Sequence, residues 1–104
     1  MNIPLERPDI EEETHTEEEI KEPPKYKVLL HNDDYTTMEF VVHVLKTVFN
    51  KQEEDAIQIM LNVHRNGSGV CGIYTAEVAE TKVARVRHLA KNEGYPLKCT
   101  MEEV

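Results

Sequence analysis

The chain has 104 residues and a formal net charge of −8 at pH 7. That length holds one domain, and the acidic balance lacks the basic footprint that nucleic acid requires. No apolar run approaches the ~20 residues needed to cross a bilayer, so neither nucleic acid nor membrane is expected as a partner.

The charge is unevenly spread. Residues 1–24 carry nine acids against two bases, and the remainder carries eleven against ten. A segment so charged and so poor in apolar residues cannot bury enough surface to offset its ordering entropy. Residues 1–24 are therefore expected to be a disordered acidic N-terminal extension, closed by Pro23 and Pro24, and residues 25–104 the folded domain. The N-terminus lacks the basic-then-apolar layout of a signal peptide, which predicts a cytoplasmic location. Cys71 and Cys99 form no CxxC and are expected as reduced core residues rather than a disulfide.

Residues 25–32, KYKVLLHN, read as a strand with Val28 and Leu30 on one face. Thr36 is expected to open a helix, with Glu39 completing a capping box. Met38, Val41, Val42, Leu45, Val48 and Phe49 then follow at helical spacing. Phe40 and Val44 fall outside that stripe, so the helix is either buried on two sides or offers an apolar patch to a partner. Asn50 is read as the start of a second helix, with Glu53 in the capping-box position and Ala56, Ile59, Met60 and Val63 as its stripe. Gly67 ends it.

NGSG reads as a turn and VCGIYT as a short strand. Thr75 caps a third helix whose buried face is Ala79, Val83, Val86 and Ala90, and Gly94 and Pro96 stop it. In LKCTME, Leu97, Cys99 and Met101 alternate with Lys98, Thr100 and Glu102, the pattern of a half-buried strand. The expected fold is α+β in the order β-α-α-β-α-β: a three-stranded antiparallel sheet with three helices packed on one face.

The chemistry gathers at HNDDYTTMEF. Adjacent Asp33 and Asp34 on an extended chain point to opposite sides and cannot flank one scissile bond. One of them is expected to cap the turn. With Asp34 in that role, Asp33 is left free for a ligand. A metal site of His31, Asp33 and His64 is conceivable, but the spacing signature is absent. Ser68 sits in NGSG with neither a nucleophile elbow nor a phosphate loop around it. His64 lies beside an apolar stripe and is either a structural histidine or, if the strand-to-helix knot is adjacent, part of a pocket. That pocket would have Asn32, Asp33 and His64 as its polar rim and Met38, Val41, Met60 and Val63 as its lining. Acceptors on a rim beside an apolar hollow complement a donor-rich cation attached to a bulky group. A protonated α-amino group followed by a large side chain fits that description.

Four segments, YKVLLHNDDYTTMEFVVHVL, MLNVH, GVCGIYTAEVAETKV and YPLKCTMEE, together resemble the ClpS family of protease adaptors over residues 25–104. The resemblance implies a non-enzymatic, monomeric adaptor without a cofactor. Such an adaptor binds proteins whose N-terminal residue is Leu, Phe, Tyr or Trp and delivers them to the N-domain of a ClpA-type AAA+ unfoldase, which feeds the ClpP peptidase. It further implies that Asn32, Asp33 and His64 hold the α-amino group, that Thr36 orients the peptide and that Asp34 supports the pocket. Met38, Val41, Met60, Val63 and Leu97 would line the side-chain pocket, with Met38 as a gate against β-branched residues. Glu77 and Lys82 would dock on the unfoldase. The acidic extension resembles the family's N-terminal extension in placement and is expected to reach toward the unfoldase during delivery. Thr37 departs from the family's usual proline and is expected to loosen the entry to the first helix slightly. Two rival readings remain: an ATPase-regulating module that does not read N-termini, and a small metal-dependent hydrolase.

Overall fold

A computed structural model describes residues 22–104. The reading of residues 1–24 as an acidic extension lies almost wholly outside the described residues. The elements are β1 (Lys25–His31), α1 (Met38–Thr47), α2 (Glu53–Asn66), β2 (Ser68–Thr75), α3 (Ala76–Glu93) and β3 (Lys98–Glu103). This is the α+β order read from the sequence. The sheet is antiparallel throughout, with β1 in the centre of the order β2-β1-β3.

Val28 and Leu30 on β1, Cys71 on β2 and Cys99 on β3 point to the helical side and are buried. They meet Val41, Val44 and Leu45 of α1, Met60 and Val63 of α2, and Ala79, Val83 and Val86 of α3 in one core. Phe40 and Val44, the two residues outside the α1 stripe, are both buried. Phe40 packs its ring 4.9 Å from that of Tyr95, centroid to centroid. Helix α1 is thus buried on two sides, with Val42 only part-buried and Met38 exposed.

Local boundaries differ from the sequence reading in ways the hydrogen bonds explain. Thr37, not Thr36, caps α1: it has extended backbone angles, and its hydroxyl accepts from the Phe40 N–H at 3.1 Å. A proline could not offer that acceptor, so Thr37 contributes a side-chain cap worth about 1 kcal/mol rather than merely loosening the helix entry. Gln52 rather than Asn50 occupies the N-cap of α2, and Asn50 takes a left-handed turn at φ 57. The turn in NGSG shrinks to Gly67, at φ 92 the C-cap of α2, and β2 begins at the next residue. A side chain at Gly67 would sit in a conformation that costs L-residues roughly 1–2 kcal/mol.

Candidate functional site

The site is built where the end of β1 meets the end of α2. The Asn32 N–H donates to the Gly67 carbonyl at 2.8 Å. This bond ties the residue after β1 to the cap of α2, three residues beyond His64. The Gly67 turn therefore holds Asn32 and the end of α2 at the same cavity, which His64 also lines. Gly69 continues the same contact. A Cβ there would come within 2.8 Å of the Val63 side chain, so β2 lies against α2 only because that position is glycine.

Asp33 organises the turn into α1. Its Oδ1 accepts from the Tyr35 N–H at 2.8 Å and the Thr36 N–H at 2.7 Å, and its Oδ2 accepts from the Thr36 hydroxyl at 2.7 Å. The sequence reading gave this task to Asp34. The structure gives it to Asp33, whose Oδ1 accepts from the backbone amides two and three residues further on, the bonding of an Asx turn. Asp34 lies exposed on the rim. Burial pushes the Asp33 carboxyl up, but the hydrogen bonds from Thr36 and Tyr35 outweigh it and hold the group below its ordinary value. Asp33 is accordingly an anion at neutral pH. Three of a carboxylate's four acceptor positions are used internally, and one remains on Oδ2. Thr36 is oriented by the same bond.

Around this turn lies a cavity of about 260 Å³. Asn32, Asp33, Asp34, Thr36 and His64 form its polar margin, and Met38, Val41, Met60, Val63 and Leu97 form its apolar lining. All ten of the pocket residues inferred from the sequence meet here. His31, previously considered only as a metal ligand, also reaches the wall, and its Nε2 shares a 2.7 Å hydrogen bond with the Thr100 hydroxyl. Among the described residues no three His, Cys, Asp or Glu side chains gather as a metal site would require. Val41, Met60, Val63 and Leu97 are buried, whereas Met38 is 46% exposed.

Glu77 and Lys82 lie apart from this cavity, on α3. Glu77 is exposed on the first turn. Lys82 is turned inward: its Nζ donates to the Val48 carbonyl at 2.8 Å and lies 5.2 Å from the Tyr74 ring centre and 5.9 Å from that of Phe49. Nothing in the sequence around Lys82 signals this capping role, because Val48 lies 34 residues away.

A small two-layer domain with an acceptor-rich rim around an apolar hollow defines a ligand-binding module. Residues 21–100 match the family model described as ATP-dependent Clp protease adaptor protein ClpS. The chain belongs to the ClpS family. It is 65% identical over 88 residues to the ATP-dependent Clp protease adapter protein ClpS of Oleidesulfovibrio alaskensis, covering 85% of each chain. With the same-named protein of Desulforapulum autotrophicum the identity is 59% over 101 residues, covering 95% of this chain and 97% of the relative. The solved structure of Agrobacterium tumefaciens ClpS2 bound to L-phenylalaninamide matches with a TM-score of 0.78 at 43% identity, covering 80% of this chain and all of that one. The family's description is that of a protease adaptor, the class to which the resemblance pointed.

Proposed function

We propose that this protein reads the free N-terminus of other proteins and hands those bearing Leu, Phe, Tyr or Trp to a ClpA-type AAA+ unfoldase in the cytoplasm. The observation that carries the reading is the continuity of one cavity. Acceptors of Asn32, Asp33 and His64 share it with the apolar lining of Met38, Val41, Met60, Val63 and Leu97. A protonated α-amino group offers three donors to that rim, and its side chain falls on the lining. The relative bound to L-phenylalaninamide holds a ligand of this type, a free amine beside a large aromatic side chain.

The magnitudes fit a transient handler. Three charge-assisted hydrogen bonds at ~1.5–3 kcal/mol each and one buried side chain at ~1.5–3 kcal/mol give roughly 6–12 kcal/mol gross. Association costs about 4 kcal/mol or more of that, which leaves at most about 8 kcal/mol, an affinity that reaches the micromolar range only at the upper end of the sum. Asp33 supplies the charge, Thr36 orients Asp33, and Asp34 adds negative potential at the rim. Nothing in this set needs a nucleophile or a bond-breaking step, so the role is binding and not catalysis. In delivery, exposed Glu77 is the better-placed contact for the unfoldase N-domain, while Lys82 is engaged by the Val48 carbonyl. The acidic extension is assigned to engagement of the same unfoldase.

The test is a fluorescence-anisotropy titration with two peptides beginning with Phe, one with a free amine and one acetylated. The free peptide binds and the acetylated peptide does not, because acetylation removes the cation and sets a carbonyl acceptor against Asp33. Equal binding of the two overturns the reading in favour of a module that does not recognise N-termini.

A further inference from the structure

A second hollow, of about 500 Å³, lies between α1 and α2. Val42 and Ile57 line it, beneath the ion pair of Lys46 with Glu53 that bridges the two helices. Met38 and Met60 line this groove and also the cavity of the site. The wall between the two hollows is therefore two thioether side chains. They are not held alike. Met60 is buried in the core, at 9% exposure, whereas Met38, the first residue of α1, is 46% exposed.

We infer that the α1–α2 groove is the space into which Met38 withdraws when a large first side chain enters the site, so that Val42 and Ile57, which do not line the binding cavity, help set the largest residue it accepts. This deepens the function proposed above and rests on it. A fixed wall would fit one side-chain size, since packed interiors resist added volume. Met38 has three rotatable bonds and a polarizable thioether that fills irregular gaps. Folded toward the cavity it covers the lining beside a small ligand. Turned away, it lies on Val42, Ile57 and the aliphatic stem of Lys46, exchanging one apolar surface for another. A leucine side chain leaves the wall in place, and an indole requires it to yield.

The experiment fills the groove from the far side. Ile57→Phe, and independently Val42→Phe, are titrated with free-amine peptides beginning with Leu, Phe and Trp. Each filled variant weakens the Trp peptide at least ~10-fold and leaves the Leu peptide within about twofold, the discrimination a pocket gains from a few heavy atoms. Leu binding also serves as the check that the variant is folded. Adding Met38→Ala to Ile57→Phe removes the side chain that must withdraw. Trp affinity then returns to within about threefold of that of Met38→Ala alone, a coupling that independent sites do not show. Equal losses for all three peptides, no loss for any, or failure of Met38→Ala to restore Trp binding overturns the inference and leaves the N-terminal reading standing. Failure of the unmodified protein to bind any free-amine peptide overturns both.

Discussion

Asp33 holds two tasks at once. Its carboxylate ties down the Tyr35 and Thr36 amides and the Thr36 hydroxyl, and in the proposed function it also meets the ligand's cation. The tasks are separable by chemistry. Asp33→Asn keeps an oxygen acceptor for the amides but loses the charge. Affinity for a free-amine peptide should fall at least ~10-fold, the loss of one charge-assisted bond, while unfolding stability in urea changes by under about 1 kcal/mol. The pH dependence has a definite sign. A carboxyl whose folded value is depressed contributes stability above its unfolded pKa and loses it as pH falls through the folded one. The stability gap between the native protein and Asp33→Asn should therefore be present at neutral pH and close as pH falls below about 4. A gap that widens in acid would contradict the depressed carboxyl. That Asp33 rather than Asp34 makes the turn was not legible in the sequence. Two adjacent aspartates offer the same side-chain chemistry, and only the three-dimensional hydrogen bonding, from the amides of residues 35 and 36, distinguishes them.

The elements themselves were largely legible. Helices α1, α2 and α3 each carry an apolar stripe long enough to fix their type, and β3 alternates in LKCTME. What failed were the ends. Thr36 and Thr37 are both good caps, and Asn50 and Gln52 lie two residues apart, so the choice between them depends on how α1 and α2 are joined in space. The Lys82 contact is the extreme case. Its amine closes the end of α1 through the Val48 carbonyl, a partner that no local pattern announces. Lys82→Met should leave that carbonyl without its donor and cost about 1–2 kcal/mol in urea unfolding, whereas Glu77→Ala, on an exposed first turn, should leave stability unchanged. Equal stability of the two variants would remove Lys82 from the support of α1. In the proposed function, the effect of a Lys82 variant on unfoldase docking is compared with that of Glu77→Ala, which would report docking without a change in fold.

At the scale of the whole molecule, the site exists because the topology brings residues 32–41, 60–64 and 97 to one place. Spacing alone supplied the candidates on α1 and α2. Leu97 came from the resemblance, and the groove behind Met38 came only from the three-dimensional packing of α1 on α2. The same topology isolates the thiols. Cys71 and Cys99 stand on β2 and β3 with β1 between them, two strand spacings apart or roughly 9–10 Å, beyond the reach of a disulfide. Burial pushes both thiols up to about 12. Neither should react with a thiol-directed reagent at pH 8 in the folded protein, and both should react in denaturant. Rapid labelling of the native protein would mean that the sheet opens far more readily than this core allows.

The central claim is that one cavity joins a cation-binding rim to an apolar hollow, and an NMR titration tests it at residue level. The 15N-labelled protein is titrated with L-phenylalaninamide and, separately, with its N-acetylated form. The account predicts that the free amine shifts the amides around Asn32, Asp33 and His64 together with those of Met38, Val41 and Met60, and that the acetylated form shifts neither group. Shifts confined to one of the two groups, or the same shifts with both compounds, would contradict it.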